Sequence, residues 1–305
     1  MLSEKFKLLR KTSNRYFDTN KKSDYILLTF NDNYVVQAIN LMMSIIKFNK
    51  NISFICLCDE LSKDRRNELF SAFQSPVAIL LYEYKMMFSF PSIRWATTAL
   101  YRVFSPFLID EPVEKVLYLD ADMLCKGSLD AVFDMKDYCV CMASEISANT
   151  ICKSRRIGIK KELGDALIYC NSGFTMLNFV CIKDKYTFEM IFNAFFDRID
   201  DLKYPDQDFL NWYFRDVMTY INGFIYDFQP YELKGNRHYY KQALDNALII
   251  HFTSGKPWDR DCDPWLMRIY LKYSVYEKMI RTVKHEMKRS IQLTPIKLIK
   301  RALKR

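Results

Sequence analysis

Apolar positions along this chain fall into short unbroken runs separated by stretches with helical spacing. "SDYILLTF" (23–30) has the length and continuity of a buried strand and is followed by the polar turn "NDNY". "VVQAINLMMSIIKFN" (35–49) repeats apolar residues at three- and four-residue intervals, which predicts an amphipathic helix. "ISFICLCDE" (52–60) is a second strand, "SKDRRNELFSAFQ" (62–74) a helix opened by a capping serine, and "VAILLYEY" (77–84) a third strand. "TTALYRVFSPFLI" (97–109) reads as another helix and "KVLYLDADML" (115–124) as the next strand. Strands alternating with helices predict an α/β fold with a mixed, mostly parallel sheet flanked by helices. In such sheets ligands gather beyond the carboxyl ends of the strands, which is where Asp120 falls.

Composition changes this picture in three ways. Half of the residues are apolar and 15% aromatic, so the chain can bury a real core and is not disordered. The seven glycines are so dispersed that neither Gly-x-Gly-x-x-Gly nor Gly-x-x-x-x-Gly-Lys can be built, which excludes the usual dinucleotide and P-loop phosphate sites. The nine cysteines contain no Cys-x-x-Cys, and Cys56/Cys58 and Cys139/Cys141 lie in strand-like runs. They read as small packed hydrophobes in a reducing compartment, without structural zinc. No apolar run approaches the ~18 residues of a membrane span and no signal-peptide pattern opens the chain, so the expected location is cytoplasmic.

Charge divides the chain into three parts. The overall balance is +9, yet residues 1–24 carry seven Lys/Arg against three acids, and 266–305 carry twelve against Glu277 and Glu286. The expected organisation is a basic N-terminal extension (1–24), an acidic α/β body (25–265) and a basic amphipathic helical tail (266–305). The tail reads either as a solvated charged segment or as a helix lying on the anionic inner face of the plasma membrane. No nucleic-acid module accompanies the charge, so nucleic acid is not an expected partner.

Asp-x-Asp occurs at 120/122, 206/208, 259/261 and 261/263, and only the first copy follows a strongly apolar strand. Alternate strand residues face one side, so Asp120 and Asp122 would repel unless a cation lay between them. His251 ends another apolar run, "NALIIHF". Two aspartates and a histidine suit Mn²⁺ better than Ca²⁺, with Mg²⁺ as the alternative ion. The residues alone leave two readings open, a metal triad or two loop acids and a core histidine.

Four ordered motifs then carry a resemblance: "LYLDADMLCKGSL", "YCNSGFTMLNF" (169–179), "YPDQDFLNWYF" (204–214) and "HFTSGKPWDRDCDPW" (251–265). Together with the "TFNDNY" turn and Arg102 they resemble the retaining glycosyltransferases of family 8, closest to bacterial enzymes that add galactose or glucose to lipopolysaccharide. The resemblance implies a GT-A fold, a UDP-hexose donor, a glycan or glycolipid acceptor and a Mn²⁺ requirement. By position it implies Asp120, Asp122 and His251 as metal ligands, with Ala121 in the same donor-binding turn. Thr29, Asn31 and Asn33 match the uridine turn, with Tyr34 stacking on the base. Arg102 matches a residue near the diphosphate and sugar, Asn171 and Ser172 match sugar contacts, and Lys256 matches the lysine on the leaving diphosphate. Asp206 and Gln207 match the positions nearest the transferred sugar.

Each position also has a plainer reading. Asn171 before Ser-Gly is common turn chemistry, Arg102 could be a surface ion pair, and Asp208 is either a sugar-site acid or a charge near a helix N-terminus. Trp258 and Trp265 read as packing residues. Two departures from the family pattern stand out: Asn31 replaces a frequent Asp, and the loop from His251 to Lys256 is one residue short, with Gly255 directly before the lysine. The resulting expectation is a front-face transfer without a carboxylate nucleophile. The alternative is a catalytically silent sugar-nucleotide-binding scaffold, and the segment 145–165 is expected to shape the acceptor site.

Overall fold

The computed structural model describes residues 2–20, 23–73, 76–88, 97–146, 168–233, 237–259 and 261–277. Strands β1 (Phe6–Ser13), β2 (Asp24–Phe30), β3 (Ile52–Cys58), β4 (Ala78–Met86) and β5 (Lys115–Leu119) make one half of the main sheet. β7 (Val140–Ser144), β8 (Cys170–Asn178) and β9 (Met218–Ile221) extend it, in the order β1-β4-β3-β2-β5-β8-β7-β9. The pairs β4/β3, β3/β2, β2/β5 and β7/β9 are parallel, while β1/β4, β5/β8 and β8/β7 are antiparallel. Every residue of β3 is buried, as a central strand covered on both faces requires. Alternation sorts neighbours to opposite sides. Ile26 and Leu28 pack with helix Val35–Ile46, whereas Leu27 packs with Tyr101 and Phe104 of helix Tyr101–Leu108.

The structure corrects four expectations. Residues 1–24 are not a separate extension, because β1 pairs antiparallel with β4 and buries Phe6 in the core. Its other positions are mostly exposed lysine, arginine and leucine, the composition of a protected sheet edge, which is why no alternation betrays it. "KVLYLDADML" is not one strand. β5 stops at Leu119, a turn follows, and β6 (Met123–Cys125) leaves to pair with β10 (Ile249–His251) in a separate two-stranded sheet.

The third correction concerns the cysteines. Cys139 and Cys181 form a disulfide with Cα atoms 5.3 Å apart, while Cys56, Cys58, Cys125, Cys141 and Cys170 are buried and free. The fourth concerns the tail. Helix Pro264–Tyr273 ends at extended Ser274 and buries Leu266, Ile269 and Tyr270 against the β6/β10 region. Asn40 then clasps the segment, donating from Nδ2 to the Tyr270 hydroxyl (3.0 Å) and accepting at Oδ1 from the Glu277 amide (3.0 Å). Residues 266–277 are thus part of the body, and the rest of the tail (278–305) lies outside the described residues, as does most of the segment 145–165. Among the described residues no helix is long and apolar enough to cross a membrane.

Candidate active site

A cavity of about 390 Å³ opens at the carboxyl ends of β2 and β5, where the strand-end turns Asn31–Tyr34 and Asp120–Asp122 converge. Thr29, Asn31, Tyr34, Arg102, Asp120, Ala121, Asp122, Asn171, Ser172, Asp206, Gln207, His251 and Lys256 all line it. Asn33, Asp208 and Gly255 do not.

One corner of the cavity is acidic. Asp120 and Asp122 flank a tight turn in which the Met123 amide donates to the Asp120 carbonyl (3.1 Å), so turn geometry rather than strand alternation brings the carboxylates together. Pairing of β6 with β10 sets His251 opposite Met123 and aims its ring at both acids. Nε2 lies 3.2 Å from Asp122 Oδ1 and 3.6 Å from Asp120 Oδ2. One ligand atom from each of the three residues fits within 4.8 Å of the others. The close approach needs Gly173, since a Cβ there would sit 2.4 Å from His251 Cε1 and 2.9 Å from Asp120 Oδ2.

The far side of the imidazole decides how this group fits a cation. Nδ1 lies 2.6 Å from Asp227 Oδ1, which assigns the Nδ1 hydrogen to that carboxylate and leaves Nε2 facing the cavity. Burial alone would lower the His251 pKa, but Asp227 and Asp122 outweigh it and raise it to about 10. A divalent ion among the same atoms would replace the Nε2 proton without disturbing the Nδ1 bond. Two carboxylate oxygens and one oriented imidazole nitrogen are a donor set suited to Mn²⁺ or Mg²⁺. Lys256 donates to the other Asp122 oxygen and to the Phe252 carbonyl (2.7 Å), which places a second positive charge at the cavity mouth. Burial opposes the Asp122 charge, yet Lys256 and His251 together hold its carboxyl well below the usual range.

Arg102 is not a surface ion pair. Its guanidinium is buried and reaches Asp120 Oδ1 (2.8 Å), Asp206 Oδ2 (3.3 Å), Ser172 Oγ (3.0 Å) and the Ala99 carbonyl (3.0 Å). It also lies 4.3 Å over the Tyr118 ring. It therefore joins the acidic corner to the helix Pro205–Tyr213, which carries Asp206 and Gln207. Gln207 accepts from the Ser172 amide (3.1 Å) and donates to the Tyr169 hydroxyl (3.0 Å), and Ser172 Oγ donates to Asp206 (2.9 Å). Asn171 does serve its turn: Oδ1 accepts from the Gly173 amide (2.8 Å) while Nδ2 reaches Glu145 (2.9 Å).

Asp208 is corrected by the structure. It is 1% exposed and points away from the cavity, accepting from Tyr169 Oη (2.6 Å) and from the amides of Lys203 and Tyr204 (both 2.8 Å). Its carboxylate braces the turn that delivers the helix, which is the N-terminal-charge reading. Asp208→Asn should cost about 1–3 kcal/mol of stability. It should leave less than tenfold effect on kcat once folded, a ratio that thermal melts and initial rates on the same preparation will check.

At the opposite corner, Asn31 Oδ1 accepts from the Asn33 amide (3.1 Å), capping the short turn that presents Tyr34. Asn33 contributes that backbone group and not a wall. Trp258 packs edge-on against Tyr34 (5.9 Å between centroids) and against Tyr270 (5.4 Å), the packing role expected of it. The shortened His251–Lys256 loop closes through Gly255 at φ +65°, a left-handed conformation that glycine takes without strain. Gly255 thus turns the chain so that Lys256 faces inward.

The family model for Glycosyl transferase family 8 matches residues 25–262. The chain belongs to this family. Lipopolysaccharide 1,2-glucosyltransferase of Escherichia coli is 28% identical over 247 residues, covering 74% of this chain and 70% of that protein. Lipopolysaccharide glucosyltransferase WaaO of Escherichia coli strain K12 is 23% identical over 81% of this chain and 80% of its own length. The galactosyltransferase LgtC, solved in complex with donor and acceptor sugar analogs, superposes with a TM-score of 0.64 at 21% identity, covering 82% of this chain and 94% of that one. The α/β architecture is therefore the GT-A fold.

In this family 8 glycosyltransferase several polar residues at or beneath the cavity escaped the sequence reading, four of them in buried networks with the site residues. Tyr118 is fully buried, and its hydroxyl donates to Asp120 Oδ1 and pairs with Thr29 Oγ1 (3.1 Å). A polar-tipped residue two positions before Asp120 in an apolar strand was the available signal. Asp227, Gln229 and Glu145 are buried too; Asp227 and Gln229 flank Phe228 in "YDFQP", and that short alternation was the available signal, while nothing local marks Glu145.

Proposed function

We propose that this enzyme is a metal-dependent, retaining hexosyltransferase that moves glucose or galactose from a UDP-sugar to a lipopolysaccharide-type glycan. The observation that carries the proposal is one cavity holding Asp120, Asp122, His251 and Lys256 at one corner and Asp206 and Gln207 at another, bridged by Arg102. The names of the relatives support a lipopolysaccharide acceptor and either hexose.

Breaking the anomeric C–O bond leaves negative charge on the departing diphosphate and positive character on the sugar. Asp120, Asp122 and His251 would hold a Mn²⁺ or Mg²⁺ ion, which when bound supplies charge neutralisation at the leaving group. Lys256 adds a fixed positive charge at that end. Thr29, Asn31 and Tyr34 would receive the uridine, and Asn171, Ser172, Asp206 and Gln207 the hexose. Asp206 is tied to Arg102 and Ser172, and the neighbouring cavity residue Gln207 is an amide and a poor nucleophile. An acceptor hydroxyl attacking the face from which the diphosphate leaves fits these residues better than a covalent glycosyl-enzyme. Recruitment to an anionic membrane surface would rest on the basic residues of 278–305.

Incubation with a panel of UDP-sugars and Mn²⁺ tests the donor. Release of UDP from UDP-glucose or UDP-galactose is expected, with at least tenfold preference over UDP-N-acetylhexosamines. Equal release from every donor, or release unaffected by EDTA, would overturn the assignment.

A further inference from the structure

The segment 227–229 runs beside β10 as a strand-like bridge. The Phe228 amide donates to the Ile249 carbonyl (3.1 Å), and the His251 amide donates to the Phe228 carbonyl (2.8 Å). Alternation sends Phe228 into the apolar cluster with Leu124, Ile250 and Phe252 and turns Asp227 and Gln229 toward the site.

Their contacts form a closed circuit. Asp227 Oδ1 holds His251 Nδ1 (2.6 Å), and Asp227 Oδ2 accepts from Gln229 Nε2 (2.9 Å). The other hydrogen of that amide nitrogen goes to Glu145 Oε1 (2.8 Å), and Glu145 Oε2 accepts from Asn171 Nδ2 (2.9 Å). Asn171 Oδ1 then takes the Gly173 amide (2.8 Å), and the Gly173 carbonyl takes the Asp120 amide (2.9 Å). A path that leaves the site at His251 thus returns to it at Asp120, after passing Asn171.

The chemistry of the links fixes their order. Ionised carboxylates only accept hydrogen bonds, whereas a carboxamide nitrogen offers two donors without charge. Gln229 can therefore join Asp227 to Glu145, and neither a third acid nor an apolar residue could. Glu145 and Gln229 also line the cavity, on the side of Asn171.

We propose that Asp227, Gln229 and Glu145 are positioning residues that lock the His251 ring with Nε2 toward the cavity and couple its metal-facing corner to the Asn171 corner. The proposal rests on the metal reading given above, and it makes Glu145, which touches no metal ligand, a determinant of metal affinity. A purely structural role for the same residues would lower stability and leave that affinity alone.

The test is a Mn²⁺ titration of the intact protein without donor, with free ion followed by electron paramagnetic resonance and thermal melts on the same samples. Asp227→Asn should weaken Mn²⁺ binding by roughly 10–100-fold, the usual effect of losing the carboxylate behind a ligating histidine. Glu145→Gln, which keeps the volume and breaks one joint, should weaken it by roughly 3–10-fold, within the range for coupling carried by a packed network. The two effects should be less than additive, because both open the same circuit. Unchanged affinity in Glu145→Gln beside a wild type that binds Mn²⁺ overturns the proposal, even if the melting temperature falls. A wild type that binds no Mn²⁺ overturns the metal reading itself and this proposal with it. Should Asp227→Asn not fold, Glu145→Gln alone decides.

Discussion

Asp122→Asn should lower turnover by on the order of 10³-fold while leaving a folded protein, as expected for removing an anionic ligand of the ion that would neutralise the leaving diphosphate. Two effects combine in that number. One Asp122 oxygen faces His251 Nε2 at 3.2 Å, so the substitution takes an anionic donor from the metal corner. The other accepts from Lys256, so the ammonium loses the partner that holds it at the cavity mouth. An amide of the same size keeps the packing, which separates loss of charge from collapse of the site. The check is kcat/KM at several Mn²⁺ concentrations. Excess metal should recover part of the loss through KM, and none of the share that comes from Lys256.

Arg102→Met should be the most damaging single change to both stability and activity. Removing one partner of a buried ion network leaves the remaining charges uncompensated, at a cost of about 3–5 kcal/mol. Asp120 and Asp206 would then face each other across the cavity with no cation between them, and Ser172 Oγ would lose one of its two partners. Arg102→Lys is the informative control. A lysine keeps the charge but cannot reach Asp120, Asp206, Ser172 and the Ala99 carbonyl at once, so it should recover most of the stability and little of the rate. Denaturant midpoints and initial rates on the two variants will show it. Full recovery of both rate and stability in Arg102→Lys would instead mean that charge alone is needed at this position.

How much of this could be read from the residues depends on whether a group announces itself locally. β2, β3 and β4 are continuous apolar runs and helix Val35–Ile46 has clear periodicity, so the parallel half of the sheet was legible. β1 was not, because an exposed edge strand of lysine, arginine and leucine without alternation looks like a solvated basic segment. The carboxylate pair was legible as chemistry but not as geometry. Asp120 and Asp122 converge through a turn that hands the chain to a second small sheet, and nothing in "LDADML" marks where the strand stops. Asp208 shares its motif with Asp206 and Gln207, yet its carboxylate is taken up by the Tyr169 hydroxyl and the Lys203 and Tyr204 amides, partners on which local spacing is silent. The circuit through Asp227, Gln229 and Glu145 was illegible for a simpler reason. Asp227 and Gln229 are two residues apart, but Glu145 and His251, which complete the circuit, are brought to them only by the fold.

The same distinction separates the two ends of the basic charge. Leu266, Ile269 and Tyr270 follow the spacing of a membrane-facing helix, and they are instead the inner face of a helix packed on the body. An apolar stripe has the same period whether it meets lipid or protein.

The central claim is that Asp120, Asp122 and His251 hold a divalent ion through which a nucleoside diphosphate is bound. Calorimetric titration of UDP into the full-length protein, with Mn²⁺ and again after EDTA, tests it most directly. UDP should bind measurably with Mn²⁺, lose at least about tenfold in affinity (1.4 kcal/mol) in EDTA, and recover when the ion is restored. Binding of equal strength with and without the ion would contradict it.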